Sequence, residues 1–247
     1  AVLAALSTTV ALAGLLTLIH ARTVDAPVSA QQQLFMGARQ DVPAVYAKGC
    51  HVPIRADEAK ACQAGDPSAS RVAVLFGDSH AAHWYPALDD LGAKQGWRIV
   101  SITKSACPWV NTPMDVEQGG FRRPYRECEA WRTAALKSIT AMRPALVILA
   151  SGSRYAGVDA AGWESGASRT LRELESSGAS ILILRDTPWP GFNVPTCLAR
   201  AEHRGADPEA ACDFSRADRL ALGEHIFEAE KRAATGRHGV TVADLSN

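Results

Sequence analysis

The chain has 247 residues, of which 26 are basic and 26 are acidic, so its formal net charge is zero. This balance gives no reason to expect nucleic acid or an anionic membrane surface as a partner. Hydrophobic residues make up 47% of the chain and charged residues 21%, which excludes an intrinsically disordered protein. The length suits one α/β domain with a sizeable core plus an appendage.

The N-terminal segment is uncharged over residues 1–19, and at about 1.5 Å per residue it nearly crosses a hydrocarbon core of about 30 Å. We interpret residues 1–20 as a transmembrane helix. A signal peptide is the alternative, although no basic segment precedes the apolar run and no clear A-x-A site follows it. A buried core helix is a third interpretation, against which the lack of a polar face counts. Residues 21–70 then form an extracytoplasmic linker, with a short helix over Gln31–Ala47 that is broken at Pro43.

Six cysteines lie beyond the apolar segment, and neighbours in the first, second and third pair are 12, 21 and 15 residues apart. This spacing favours three sequential disulfides, although other pairings stay open: Cys50–Cys62, Cys107–Cys128 and Cys197–Cys212. Disulfides imply an oxidising, extracytoplasmic compartment. Buried free thiols in a cytosolic protein are the alternative. No C-x-x-C pair is present, and histidine is scarce near the cysteines, so no metal site is expected.

The rest of the chain, from about Arg71 to Asn247, alternates between strand-like and helix-like segments. Five short apolar runs are predicted as strands: Arg71–Phe76, Trp97–Ile102, Ala145–Ala150, Ser180–Arg185 and Gly239–Asp244. Four segments between them have helical spacing: Ala82–Lys94, Cys128–Met142, Gly162–Ser177 and Ser215–Thr235. This alternation predicts a doubly wound parallel sheet with right-handed crossovers. Active sites in such sheets lie beyond the carboxyl ends of the strands.

The first of these strands ends in Gly77-Asp78-Ser79-His80, and a helix-like segment follows at once. A serine at this turn lies at a helix N-terminus, where backbone N–H groups and the helix dipole favour negative charge. That environment suits a nucleophile whose reaction builds an oxyanion. The alternative is that Asp78 and Ser79 only cap the helix. A phosphate-binding loop is disfavoured because the turn lacks further glycines and a lysine.

Gly77-Asp78-Ser79-His80 resembles the first motif of the SGNH (GDSL-like) hydrolase superfamily. Further segments resemble the C-terminal SGNH domains that are fused to acyltransferase-3 membrane proteins: Gly49-Cys50-His51, Lys104-Ser105-Ala106-Cys107-Pro108, and Tyr125 with Cys128. The resemblance implies a three-layer α/β/α sandwich around a five-stranded parallel sheet, of the SGNH and flavodoxin-like type. It also implies a membrane domain of ten or eleven helices that brings acyl groups across the bilayer, with residues 1–20 as its final helix.

The resemblance implies that Ser79 is the nucleophile, that its own backbone N–H is one oxyanion donor, and that Asp78 holds the turn. The family's second motif normally supplies a glycine N–H, but this loop has none, so Ser105 or Ala106 is the substitute. The family's third motif normally supplies an asparagine. The matching stretch here is Ala150-Ser151-Gly152-Ser153-Arg154, in which Ser151 or Ser153 is the substitute donor and Arg154 is placed to meet a negative charge. A plain Ser/Gly loop is the alternative.

The family's last motif is Asp-x-x-His, which supplies the base and the acid that orients it, and it has no match in the sequence. No histidine of the predicted domain fits the role by its position: His51, His80, His83, His203, His225 and His238. We therefore interpret the chain as a fragment, truncated at both ends, in which the base is missing and Ser79 by itself is nearly inert.

Four tryptophans are candidates for stacking against sugars, although core packing is the commoner role: Trp84, Trp109, Trp163 and Trp189. Trp109 and Trp189 flank predicted strand ends and are favoured for this role.

The resemblance implies an O-acyltransferase domain that moves an acyl group, with acetyl expected, to hydroxyls of a cell-envelope carbohydrate. The expected partners are the glycan, the chain's own upstream membrane domain and the lipid bilayer. Acetyl-CoA on the membrane-domain side is the expected donor, and no bound cofactor is expected. The expected location is the bacterial cell membrane, with this domain extracytoplasmic. A carbohydrate esterase that uses water as acceptor, and a glycan-binding domain without activity, are the alternatives.

Overall fold

The computed structural model describes residues 28–246, which fall into two compact units. The smaller comprises residues 28–41 and 192–213, and the larger comprises residues 42–191 and 214–246. The transmembrane helix expected over residues 1–20 lies outside the described residues, as do residues 21–27 of the expected linker. Within residues 28–246, no helix has both the length and the apolar character needed to span a membrane.

The elements alternate along the larger unit, with two helices of the smaller unit inserted late in the chain. The strands are β1 (His51–Val52), β2 (Cys62–Gly65), β3 (Val72–Gly77), β4 (Arg98–Lys104), β5 (Asp115–Gln118), β6 (Phe121–Pro124), β7 (Leu146–Ala150), β8 (Ser180–Leu184) and β9 (Val240–Ala243). The helices are α1 (Ala30–Gly37), α2 (Ser79–His83), α3 (Tyr85–Gln95), α4 (Arg126–Met142), α5 (Ala160–Glu175), α6 (Val194–His203), α7 (Pro208–Cys212), α8 (Arg216–Ala221) and α9 (Glu224–Ala234). A single 3₁₀ turn, Ala38–Gln40, follows α1.

The central sheet of the larger unit has the order β1-β4-β3-β7-β8-β9, and every neighbouring pair in this order is parallel. In register, Val74 of β3 lies beside Val100 of β4 and Val147 of β7. Strand β2 pairs antiparallel with β4, and β5 and β6 form a separate hairpin. The predicted α/β fold is confirmed. The five predicted parallel strands are β3, β4, β7, β8 and β9, and the sheet has seven strands rather than five because β1 and β2 are added beside β4.

Helices cover both faces of this sheet, which explains why its strands are continuous apolar runs. All six residues of β3 are buried. Since side chains alternate between the two faces of a strand, Phe76 packs on one side, with its ring 5.4 Å from that of Trp131 in α4. Leu75 packs on the other side in a cluster with Ala81 of α2 and Tyr85 of α3. The larger unit therefore has three layers, with α4, α5 and α9 on one face and α2 and α3 on the other.

Residues 49–70 are part of the sheet, which corrects the interpretation of residues 21–70 as a linker preceding a domain that starts near Arg71. Strand β1 pairs with Thr103 and Lys104 at the end of β4, and β2 pairs with residues 98–101 of the same strand. Two to four residues of mixed polarity carry no readable period, so these edge strands had no sequence signal.

Two predicted helices are shorter than the sequence pattern indicated. The helix expected over Gln31–Ala47 ends at Gly37, before the 3₁₀ turn and Pro43. The helix expected over Ser215–Thr235 is divided into α8 and α9 by Leu222 and Gly223. A Cβ atom at Gly223 would lie 2.6 Å from Ser153 Oγ, so close packing against another loop requires the glycine that interrupts the helix.

The smaller unit consists of α1, α6 and α7. Ser29 caps α1 and also donates a hydrogen bond from its Oγ to Glu202 Oε1 in α6, at 2.9 Å. A disulfide between Cys197 and Cys212 links α6 to α7. The sequence pattern had predicted neither α6 nor α7, because both are short and their apolar faces are small.

The structure holds three disulfides, and they are the three pairs that the spacing favours: Cys50–Cys62, Cys107–Cys128 and Cys197–Cys212. Their Cα–Cα distances are 5.6, 5.5 and 6.0 Å, within the usual range for a disulfide. The alternative, in which the six cysteines are buried free thiols, is therefore wrong.

Candidate active site

Ser79 lies where β3 ends and α2 begins, at the carboxyl edge of the sheet, and is half-buried. The turn depends on Gly77, which has a φ of +153° and approaches β7 closely. A Cβ atom at this position would lie 1.8 Å from the carbonyl oxygen of Ala150, so only glycine fits. The sequence motif therefore places the serine hydroxyl at a helix N-terminus, as expected.

Asp78 is buried and holds the turn with both carboxyl oxygens. Its Oδ1 accepts hydrogen bonds from the backbone N–H groups of His80 (2.7 Å) and Ala81 (3.4 Å), which caps α2. Its Oδ2 accepts from the backbone N–H of Gly152 (2.9 Å) and from the hydroxyl of Tyr155. Burial raises the pKa of Asp78 to about 6, against the opposing effect of His80 and of the backbone hydrogen bonds.

His80 and Asp186 form a pair that the sequence motifs did not reveal. His80 Nδ1 lies 2.5 Å from Asp186 Oδ1, and Asp186 Oδ2 accepts a hydrogen bond from the backbone N–H of Ser153 at 2.8 Å. Burial opposes protonation of His80, but the hydrogen bond and charge of Asp186, helped by Asp78, raise its pKa above the ordinary value. The sequence could have indicated this pair only through the predicted topology. Both residues follow parallel strands, and the carboxyl ends of those strands lie at the same edge of the sheet.

The other histidines of the larger unit are placed differently. His83 is exposed and its ring centroid lies 5.2 Å from that of His80, whereas His225 and His238 are exposed on α9 and in the turn before β9. Burial, with the positive charge of His80, lowers the pKa of His83. Within the described residues, no hydrogen bond joins any histidine to Ser79 Oγ.

The turn after β4 supplies one of the candidate oxyanion donors. Ala106 borders the same cleft as Ser79 and has a φ of +51°, in the left-handed region that favours glycine. Its backbone N–H has no hydrogen-bond partner among residues 28–246, while the N–H of Ser105 donates to the carbonyl oxygen of Val52 at 2.9 Å. Ser105 and Ala106 were the two residues expected to replace the family's glycine as an oxyanion donor. Of these two, Ala106 is the one whose backbone N–H is unpartnered among residues 28–246.

A buried lysine fixes this turn against the segment after β1. The Lys104 ammonium group donates to the carbonyl oxygens of Pro53 (2.7 Å), Ile54 (3.0 Å) and Ala56 (2.5 Å), and it is fully buried. Burial lowers the pKa of Lys104 to about 8. All three donors of the ammonium group are used, so the contact ties Lys104 firmly in place.

His51, from the Gly-Cys-His segment, holds the same turn from the side. Its Nδ1 lies 3.0 Å from Thr103 Oγ1 and its Nε2 lies 3.0 Å from Ser105 Oγ. Burial and the nearby Lys104 charge lower the pKa of His51 to about 4, so the ring is neutral at physiological pH. His51 therefore acts on the site through the position of the Ser105–Ala106 turn.

The loop after β7 has little free donor capacity. Ser151 is buried, and its Oγ accepts a hydrogen bond from the backbone N–H of Trp109 at 3.1 Å. The N–H groups of Gly152 and Ser153 are engaged by Asp78 and Asp186. Ser151 and Ser153 are thus first of all parts of the scaffold.

Arg154 and Trp189 form a stacked pair at the cleft, with the guanidinium carbon 3.5 Å from the ring centroid. Trp189 is 47% exposed, whereas Trp109 is fully buried and Trp163 nearly so. Of the two tryptophans favoured for stacking against sugars, Trp109 is therefore excluded, and Trp189 remains. The cleft has a volume of about 300 Å³, at the lower end of the range for small-ligand sites.

Glu230 is a buried carboxyl group behind the cleft, on α9, and no sequence pattern singled it out. Its Oε1 accepts a hydrogen bond from Trp163 Nε1 at 3.2 Å. Burial, with the nearby negative charges of Asp186 and Asp78, raises its pKa to about 8. Among the described residues, no cluster of three or more His, Cys, Asp or Glu side chains is arranged to hold a metal ion.

A Gly-Asp-Ser-His turn at the carboxyl edge of a mostly parallel sheet in a three-layer arrangement is typical of α/β proteins of the SGNH class. The chain belongs to the family of SGNH domains that are fused to AT3 (acyltransferase-3) domains, whose family model matches residues 49–247. The match begins close to β1, in agreement with the place of residues 49–70 in the sheet.

Solved structures are similar to this chain. One is the periplasmic domain of a lipopolysaccharide acetyltransferase from Salmonella ser. Paratyphi A, with 17% identity, a TM-score of 0.53, and coverage of 90% of this chain and 83% of that one. Another is TesA, also 17% identical, with a TM-score of 0.36 and coverage of 66% of this chain and 99% of that one. A comparison with curated protein sequences gave no match.

Proposed function

We propose that this chain is the extracytoplasmic domain of a bacterial membrane O-acyltransferase. It transfers an acyl group, with acetyl expected, to a hydroxyl of a cell-envelope carbohydrate, and Ser79 is the nucleophile. The observation that carries the proposal is the position of Ser79, half-buried at a helix N-terminus in a cleft that also contains the free N–H of Ala106. Membership of a family fused to acyltransferase-3 domains supports it, as does the fold shared with a lipopolysaccharide acetyltransferase domain.

The reaction has two transfers. In the first, Ser79 Oγ attacks the acyl carbonyl carbon, its proton passes to a base, and the acyl group's former carrier leaves with a proton. The negative charge on the carbonyl oxygen is stabilised by the backbone N–H groups of Ser79 and Ala106. In the second, a sugar hydroxyl attacks the acyl-serine ester, and Ser79 leaves with a proton regained from the base. The acyl donor, with acetyl-CoA expected on the membrane-domain side, reaches Ser79 from the fused membrane domain.

The base in this proposal is the histidine of the family's Asp-x-x-His motif, which no residue of this sequence matches. His80 has another role, because its Nδ1 is held by Asp186 and no hydrogen bond joins it to Ser79 Oγ in the described residues. Adjacent residues of a helix also point in different directions. The His80–Asp186 pair instead fixes the loops around Ser79.

Ser79→Ala tests the proposal in the full-length protein. We expect incorporation of acetyl groups into envelope polysaccharide, measured by NMR of the isolated polysaccharide, to fall by at least about 1000-fold, because the acyl-serine ester cannot form. Ser138→Ala is the matched control, since Ser138 is exposed on α4, and it should transfer normally.

Two outcomes contradict the proposal. Normal transfer by Ser79→Ala would remove Ser79 from the mechanism, and release of free acetate without incorporation would make the protein an esterase. The 247-residue chain alone gives a further check, because hydrolysis of an activated acetyl ester that depends on Ser79 would show that a base lies within this chain.

A further inference from the structure

Arg154 carries a positive charge with no carboxylate partner. It follows the loop after β7, it is exposed, and no ion pair or hydrogen bond engages its guanidinium group within residues 28–246. Its position is nevertheless defined, because the guanidinium carbon lies over the ring of Trp189, 3.5 Å from the ring centroid. A positive charge held by an aromatic ring and left without a counter-ion is available to a ligand.

Among the described residues near Arg154, one further arginine has no carboxylate partner. Asp186 is engaged by His80, and Arg185 is paired with Asp244 at 2.7 Å and with Glu224. Arg219, from α8, borders the neighbouring depression together with Arg154 and Trp189, and no ion pair engages it among the described residues. Among the described residues, Arg154 and Arg219 are therefore the two guanidinium groups bordering this depression that no carboxylate engages.

Stacking also prepares Arg154 for recognition of an anion. The five N–H donors of a guanidinium group lie in its plane, so a ring beneath that plane leaves them free at the edge. Two parallel N–H donors match two oxygens of a carboxylate or a phosphate. Trp189 thus holds Arg154 at low entropic cost without using any of its hydrogen-bonding capacity.

We propose that Arg154, stacked on Trp189 and assisted by Arg219, binds an anionic group of the acceptor carbohydrate, a carboxylate or a phosphate, beside Ser79. The inference rests on the proposed function and adds to it the chemical class of the acceptor, which is an acidic saccharide. Arg154 and Trp189 border the same cleft as Ser79, so an anion held there brings a hydroxyl of the same or the next sugar to the serine. A neutral saccharide lacks this anchor.

The test measures binding in the Ser79→Ala protein, so that no turnover takes place. Isothermal titration calorimetry compares three probes: trigalacturonate, which carries carboxylates, glucose 6-phosphate, which carries a phosphate, and neutral maltotriose. We expect at least one acidic probe to bind about tenfold or more tightly than maltotriose, and the better of the two identifies the source of the charge. Added salt should weaken this binding.

Arg154→Gln should lower the affinity for the preferred acidic probe by at least about tenfold, because the bidentate contact and its charge are lost. Trp189→Ala should also weaken binding, since Arg154 loses its support. Arg172→Gln is the matched control, because Arg172 is exposed in the last turn of α5 and does not border the cleft. Circular dichroism of each variant shows that a loss of binding is not a loss of fold.

Equal binding of maltotriose and both acidic probes would overturn the inference, as would unchanged binding by Arg154→Gln. These results can be distinguished from a failure of the proposed function. A protein that binds acidic sugars through Arg154 but shows no Ser79-dependent transfer contradicts the proposed function alone. A protein that transfers acyl groups through Ser79 but has no preference for acidic sugars contradicts this inference alone.

Discussion

Glu230 is a carboxyl group placed where a carboxylate is strongly disfavoured. It is buried on α9, and Trp163 Nε1, its hydrogen-bond partner among the described residues, carries no charge. Burial and the nearby negative charges of Asp186 and Asp78 raise its pKa to about 8, so it is mostly protonated at neutral pH. A neutral Glu230 behind the cleft keeps negative charge away from the anion site proposed at Arg154.

The raised pKa of Glu230 predicts how stability depends on pH. The unfolded chain releases this proton near pH 4.5, whereas the folded protein holds it up to about pH 8. Between these values the folded state binds more protons, so the free energy of unfolding falls as pH rises, by up to about 1.4 kcal/mol per unit from this group. Glu230→Gln removes this dependence and retains the acceptor for Trp163, and the variant should be the more stable protein at pH 8.

Urea unfolding between pH 5 and 8 measures the effect. Asp78 and His80 also titrate with shifted pKa values, but they are present in both proteins, so the difference between the two curves isolates Glu230. Glu129→Gln, an exposed position on α4, is the control and should leave the curve unchanged. If the free energy of unfolding depended on pH in the same way in Glu230→Gln and in the unsubstituted protein, the raised pKa of Glu230 would be contradicted.

At the scale of single residues, the sequence motif singled out Ser79 and Asp78, but it did not reveal the contact between His80 and Asp186 or the burial of Glu230. Ser79 and Asp78 are recognisable because the turn between a strand and a helix is local in sequence. Asp186 follows β8 and is 106 residues from His80, so their contact exists only once both strands have been paired in the sheet.

The turn after β4 is an element held by its surroundings in a conformation that its own sequence disfavours. Ala106 has a φ of +51°, and a left-handed conformation costs an alanine about 1–2 kcal/mol. Lys104 and His51 supply the contacts that hold the turn, as does the N–H of Ser105 on Val52. Strain of this kind persists only where the neighbouring structure fixes it, which is common at active sites.

Ala106→Gly should therefore leave the protein as stable or up to about 1 kcal/mol more stable, because the relief of strain exceeds the entropy that a glycine adds to the unfolded chain. Its N–H is retained, so acyl transfer should continue. Ala69→Gly is the matched control, since Ala69 is also in a loop but does not have a positive φ, and it should be destabilised. Denaturant unfolding compares them, and an equal loss of stability in both variants would show that Ala106 is unstrained.

Strands were predicted more closely than helices, for a physical reason. The runs expected at Arg71–Phe76 and Ala145–Ala150 became β3 and β7 with ends shifted by one residue, because strands buried on both faces must be continuously apolar. The break between α8 and α9 was missed because the helical period continues across it. It is caused by the close approach of Gly223 to Ser153, a contact between distant parts of the chain.

The disulfides divide between the two units of the molecule and allow a matched comparison. Cys107–Cys128 closes a segment of 21 residues next to Ala106 in the larger unit, and Cys197–Cys212 closes one of 15 residues in the smaller unit. Each is expected to stabilise its unit by about 3 kcal/mol, mainly by restricting the unfolded chain. They differ in that only the first adjoins a residue of the cleft.

The double substitution Cys107→Ala with Cys128→Ala should therefore lower both stability and acyl transfer, the latter by at least about tenfold, because a small displacement of the Ala106 N–H weakens its contact with the oxyanion. Cys197→Ala with Cys212→Ala should lower stability but leave transfer unchanged at temperatures where the protein is folded. Denaturant unfolding and the polysaccharide NMR assay measure the two effects. An equal loss of transfer in both variants would contradict a specific role for the first disulfide.

For the molecule as a whole, the sequence by itself determined the class of fold and the position of Ser79 at the end of a strand. Apolar runs of strand length alternate with helical periods, and Gly77-Asp78-Ser79-His80 marks the turn at the carboxyl edge, so local patterns were sufficient. Only the tertiary structure decided that residues 49–70 belong to the sheet, that Ala106 has the free N–H, and that Arg154 is stacked on Trp189. These features depend on contacts between residues far apart in the chain, and such contacts leave no period or spacing in the sequence to read.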